Sequence, residues 1–216
     1  MGTMTRIMSG VRVVWPALLA IPLLASCYLP DRFQSEIRVN PDGSYGITYA
    51  GVLTWIPLFM DTNWARLPKH IQETKPKKTA QELKADNKKF FDDLKRDNYF
   101  SVVEPMGNGA YNVRYKREGR IVDSEQVTFV RRNAALITLS VNKKRVMTIQ
   151  SKAMSQDAKK QLASLGLQMR GLFRVVTQAK VIKHNAQQVK SFQGYNVYDW
   201  NLTLASPTPK IVLQLR

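Results

Sequence analysis

At 216 residues, 44% of them hydrophobic and 23% charged, the chain is long enough for one ordinary domain or two small ones, and it is apolar enough to fold. Its charge is lopsided, with 33 Lys and Arg against 16 Asp and Glu and a net charge of +17. That excess draws it to anionic surfaces such as phospholipid head groups, phosphorylated glycans, cell-wall carboxylates or nucleic acid. The single cysteine excludes an internal disulfide and a CxxC metal or redox pair.

In chain order, residues 1–12 carry Arg6 and Arg12 and no acid, residues 13–25 carry no charge, and Ala25 and Ser26 directly precede Cys27. A basic start, an apolar run and small residues are the three parts of a secretory signal. The apolar run is well short of the ~20 residues that cross a bilayer as a helix. Pro16 and Pro22 also interrupt it, so a permanent span is not expected. Leu24-Ala25-Ser26-Cys27 resembles the lipobox of bacterial lipoproteins. The resemblance implies a signal peptide over 1–26, a diacylglyceryl cysteine at Cys27 and a fatty acyl group such as palmitate on the new amino terminus. Loss of Arg6 and Arg12 with the signal lowers the net charge by two, to +15. In many Gram-negative members an Asp after the cysteine retains the protein in the inner membrane. Tyr28 stands at that position, which implies the outer membrane, facing the periplasm.

Residues 27–33 read as a lipidated tether, and residues 34–216 as a single α+β domain. Glu36 to Asn40 and Ser44 to Ala50 read as a hairpin turned at Pro41-Asp42-Gly43, with Tyr45, Ile47 and Tyr49 sharing one face. Residues 51–78 break this alternation and read as an aromatic and basic loop insertion, too long to be a plain connection. Trp55, Phe59 and Trp64 precede Lys75, Lys77 and Lys78 there. Tryptophan beside lysine fits a membrane interface, and tryptophan also anchors protein partners. The other reading is that the segment folds over the sheet and completes the core.

Thr79 and Glu82 have the spacing of a capping box, and Leu83, Phe90, Phe91 and Leu94 align on one face of the helix that follows. From Tyr99 to Ser151 the period is two, which predicts a meander of four or five strands with turns at Gly107-Asn108-Gly109, Glu118-Gly119 and Asn142-Lys143-Lys144. Ser155 caps a second helix that ends at Gly166. "LFRVVTQAKVIKHN", "YNVYDWNLTL" and "KIVLQLR" read as three closing strands. The expected fold is α+β, a largely antiparallel β-sheet with two main helices packed on one face. In the last third, Thr177, Val181, His184, Asn185, Trp200 and Pro209 give a layout similar to that of LppM-like bacterial lipoproteins. That resemblance implies a sheet domain on a lipid anchor without settled chemistry. The chain departs from it in ending its last strand at Arg216 with no apolar tail.

No catalytic constellation emerges. His70 and His184 are far apart and lack partners at metal spacing, and no Gly-rich phosphate loop or GxSxG elbow occurs. Asp92-Asp93 sits among Lys89, Lys95 and Arg96, the pattern of a solvated ion-pair face. No cofactor or metal is expected, and no nucleic-acid motif accompanies the basic charge. The expectation is a non-enzymatic, lipid-anchored envelope lipoprotein with a binding or structural/assembly role at the periplasmic membrane surface. Its partners would be the membrane itself, an anionic lipid or envelope polymer, or a protein. The alternative is a carrier that cups an apolar or anionic envelope molecule against the sheet.

Overall fold

A computed structural model describes residues 28–122, 124–131 and 134–216. Among these described residues, twelve strands run in chain order: β1 (Tyr28–Val39), β2 (Ser44–Trp55), β3 (Phe100–Gly107), β4 (Ala110–Arg120), β5 (Gln126–Phe129), β6 (Ile137–Val141), β7 (Val146–Ser151), β8 (Arg170–Thr177), β9 (Lys180–His184), β10 (Gln188–Phe192), β11 (Tyr195–Thr203) and β12 (Lys210–Gln214). The helices are α1 (Ile56–Thr62), a 3₁₀ turn (Trp64–Arg66), α2 (Lys69–Thr74), α3 (Ala80–Lys95) and α4 (Gln156–Ser164). The fold is α+β, and its strands form two sheets. One has seven strands in the order β10-β11-β8-β1-β2-β4-β3, and the other has five in the order β5-β6-β7-β12-β9. Every pairing is antiparallel except β1 with β8. The sheets share one core in which Ile37, Ile47, Leu139, Ile149, Phe173 and Trp200 are buried.

Residues 28–33 are not a tether. They are the first half of β1, and Tyr28, Leu29 and Phe33 are buried. A bulge between Asp31 and Gln34 puts one extra residue opposite β2 at Gly51, which shifts the alternation that hid this strand in the sequence. Nor is 51–78 an irregular loop. Its first five residues complete β2, and the rest folds into α1, the 3₁₀ turn and α2. Pro57 in the first turn of α1 costs no intrahelical bond. The β3–β4 turn seats on α1. Trp55 N donates to Gly109 O, and a Cβ on Gly109 would lie 2.9 Å from Phe59 N, where only glycine fits.

The helices begin where their caps stand. Glu82 N donates to Thr79 Oγ1 at 3.3 Å, and Thr79 N donates back to Glu82 Oε2 at 2.7 Å. Ser155 Oγ accepts from Ala158 N at 3.2 Å. α3 buries Phe90 and Leu94 in the main core. α4 buries Leu162 against Leu29 and Ile56.

The last third is folded by three crossings between the sheets. β8 lies in the larger sheet and β9 in the smaller, so "LFRVVTQAKVIKHN" is two strands. Thr177 Oγ1 breaks them apart. It donates to Val39 O at 2.8 Å and accepts from Ala179 N at 3.0 Å, turning the chain where the pattern runs on. The chain crosses back after His184, whose Nδ1 accepts from Ala186 N at 3.1 Å. Asn185 knots the crossings together. Its Oδ1 accepts from Trp200 Nε1 (3.0 Å) and Lys210 N (2.8 Å), and its Nδ2 donates to Thr208 O (2.9 Å).

Arg131 and Arg96 both bind the Asp93 carboxylate, tying α3 to the chain after β5. Burial pushes the Asp93 pKa up, but the hydrogen bond and charge of Arg131, with those of Arg96, outweigh it and hold the group below its ordinary value. Asp42 and Glu82 are lowered by hydrogen bonds from Ser44 and Thr79. A carboxylate depressed by folding adds stability above its unfolded pKa, and that stability is lost as pH falls through the folded one. The melting temperature is therefore expected to drop on acidification below about pH 4. Asp93→Asn should flatten part of that drop in melts across pH 2 to 7 (approximate bounds).

Candidate functional site

The two sheets part at the end of the fold where β1 begins. There they leave an apolar cleft whose floor and walls are the buried side chains of Phe33, Tyr49, Phe129, Leu136, Ile137, Phe173 and Leu202. Pro30, Met154, Met169 and the residues 206–209 form its mouth. Each strand supplies these residues by period two, because alternate side chains of β1, β2, β8 and β11 face the smaller sheet. Phe33 stacks on Tyr49 with ring centroids 5.6 Å apart, and Tyr49 touches Phe129 at 4.9 Å. The Tyr49 hydroxyl donates to Val52 O at 2.9 Å. Burial, with a smaller push from Asp31, raises its pKa well above the usual tyrosine value, so it stays neutral and the cleft stays uncharged inside.

Two lysines sit at the mouth. Lys152 is exposed, while Lys159 is half-buried on α4 and donates to Ser206 O at 3.0 Å. One hydrogen bond leaves Lys159 two further donors. Among the described residues, neither a carboxylate nor a histidine lines this cleft. The cavity volume is about 70 Å³, room for a few methylenes and far below the ~300–1,000 Å³ of a site that engulfs a drug-sized ligand. An apolar chain would thus be held by its end in the cavity and along its length by the mouth. Among the described residues, no group of three His, Cys, Asp or Glu is placed to hold a metal ion.

The side chains singled out in residues 51–78 are brought together in part. Trp55 stacks on Phe90 with centroids 4.6 Å apart, and it packs against the core. Phe59 is half-buried under the β3–β4 turn. Lys75 and Lys78 converge on Asp61, which is only 5% exposed. Lys78 Nζ lies 2.9 Å from Oδ2 and 2.6 Å from Asp86 Oδ2. Lys75 Nζ lies 2.5 Å from Oδ1, an ion-pair contact without hydrogen-bond alignment. Bonds to Asp86 and Asp61 push the Lys78 pKa above the usual lysine value. Trp64 and Lys77 stay at the surface. Trp64 Nε1 donates to Lys75 O at 2.8 Å, and Lys77 Nζ lies 5.9 Å from its ring centroid. Cys27 lies outside the described residues.

The cleft itself was not legible in the sequence. The alternation groups Tyr49 with Tyr45 and Ile47 on one face of its strand, but the residues that join it in the cleft come from β5, β6 and β8, each remote along the chain.

No protein-family model matches the chain, and no curated protein sequence matches it. Among solved structures, the NMR structure of the folded domain of the Mycobacterium tuberculosis LppM protein is similar to it over 91% of this chain and 94% of that one. The identity is 12% and the TM-score 0.40. No described helix is long and apolar enough to cross a membrane.

Proposed function

We propose that this chain is a non-enzymatic envelope lipoprotein, anchored through Cys27, that binds the apolar chain of an anionic amphiphile in the cleft between its sheets. The observation that carries this reading is the cleft itself, apolar within and flanked by Lys152 and Lys159 at the mouth. Burying an apolar chain contributes about 0.8 kcal/mol per methylene. The ammonium groups supply the selectivity, since each basic group near anionic lipid is worth about 1 kcal/mol. Lipid anchorage is supported by the basic, apolar and small-residue layout ending at Cys27, and an outer-membrane location by Tyr28 in the next position.

Titration with fluorescent single-chain amphiphiles tests this. Anionic head groups are expected to bind more tightly than zwitterionic ones. Lys152→Glu with Lys159→Glu should weaken the anionic ligand at least about tenfold and leave the zwitterionic one little changed. Met154→Trp, which fills the mouth, should weaken both. Absence of binding, or binding indifferent to all three changes, would remove the reading.

A structural or assembly role through a protein partner is a second reading, favoured by a different surface. Ile182, Val189 and Phe192 are 54%, 48% and 67% exposed along β9 and β10, each the free edge strand of its sheet. Edges of this kind pair with added strands. Phe192→Asp would abolish crosslinking to such a partner without touching amphiphile binding.

A further inference from the structure

Tyr28 opens β1 and pairs with Trp55, the last residue of β2, so α1 starts at the end of the sheet nearest Cys27. Adjacent Cα atoms are only about 3.8 Å apart, and Tyr28 and Leu29 are already buried, so an anchored Cys27 keeps this end of the domain within reach of the bilayer and leaves the face it presents to be set by charge. The segment from α1 to Lys78 holds Arg66, Lys69, Lys75, Lys77 and Lys78 against Asp61 and Glu73. Lys75 and Lys78 are engaged by Asp61, which leaves Arg66, Lys69 and Lys77 exposed and without an acid in ion-pair contact among the described residues. Trp64 precedes them in the chain, with its N–H bonded to backbone, its side chain half-buried and Lys77 Nζ 5.9 Å from its ring centroid. A half-wet indole beside a lysine, with further exposed cations close by in the chain, is the chemistry of the head-group zone of an anionic bilayer.

We infer that α1, the 3₁₀ turn and α2 form the surface that lies against the anchoring bilayer, with Trp64 in the interfacial zone and Arg66, Lys69 and Lys77 on anionic head groups. This rests on anchorage at Cys27. The cleft mouth begins at Pro30, near the start of β1, and so lies at the same end of the fold as α1. The opposite end, with the turns at Asp42-Gly43 and Asn142–Arg145, points away.

The anchor makes a clean test. Once lipidated, the sole native cysteine is blocked, and an introduced thiol is a unique label site. The full lipidated protein would carry a fluorophore at Ala65→Cys or, at the far end, at Lys143→Cys. It would be reconstituted in phosphatidylcholine vesicles with or without phosphatidylglycerol, with a nitroxide on the head groups as quencher. Quenching is expected at Ala65→Cys and not at Lys143→Cys, and only with phosphatidylglycerol present. Each exposed cation is worth about fivefold in surface occupancy, so combined Arg66→Glu, Lys69→Glu and Lys77→Glu should bring quenching at Ala65→Cys down to the Lys143→Cys level. Protein that floats with the vesicles yet quenches equally at both sites, or regardless of lipid charge, overturns this orientation alone. Wild-type protein that fails to float overturns the anchor, and the orientation with it.

Discussion

Cys27→Ser is expected to abolish fatty-acid labelling and to move the protein out of the floating membrane fraction, while its circular dichroism and melting temperature stay those of the wild type. The two halves of this expectation have separate causes. Membrane retention comes from acyl chains at about 0.8 kcal/mol per buried methylene, where one chain binds marginally and two or more hold firmly. The basic surface alone offers a handful of interactions near 1 kcal/mol each, and salt screens them. Unlipidated protein should therefore bind anionic vesicles weakly at low salt and come off at high salt. The fold is expected to stand without the sulfur, because the described residues from Tyr28 onward already pack two apolar clusters among themselves. Metabolic labelling with a fatty-acid probe, followed by flotation at two salt concentrations, reads both halves.

Trp200→Ala should be the most damaging single change within the domain. Trp200 is 1% exposed, packs 5.3 Å from Phe173 and donates to Asn185 Oδ1. Truncating a buried tryptophan costs about 3–5 kcal/mol, a large share of the ~5–15 kcal/mol that holds a domain together. For a chain of this size the melting temperature should fall by about 10 °C. The loss is also positional, because Asn185 fastens β9, β11 and the chain before β12 at the points where they pass between sheets. Trp200→Phe keeps most of the buried area and gives up only the bond to Asn185, so it should cost about 1 kcal/mol. Equal destabilisation by the two substitutions would show that the indole bond, rather than the packing, dominates.

Much of the fold could be read from local chemistry because local chemistry makes it. Thr79 with Glu82, Ser155 and Asp42-Gly43 each satisfy or redirect the backbone within a few residues, and the structure has a helix or turn at each. Three features escaped because their causes are distant. Pro30, Asp31 and Arg32 look like linker composition, and the bulge that accommodates them is set by Gly51 across the hairpin. The apolar alternation of β8 runs on into β9 with no glycine or proline at the break, and only the Thr177 hydroxyl marks it. β10 is exposed along its whole length, so it has no buried face to print a period. The aromatic segment was legible as chemistry and not as placement. Its tryptophans and lysines were identified, but Asp61, which binds two of the lysines, gave no signal that it would be buried.

Intact-mass analysis of the protein extracted from membranes in detergent is the most direct check. A polypeptide beginning at Cys27 and carrying at least the mass of a diacylglyceryl group, with one further acyl chain where the amino terminus is acylated, is the result that lipid anchorage requires. An unmodified chain that retains residues 1–26, recovered from the soluble fraction, would contradict it.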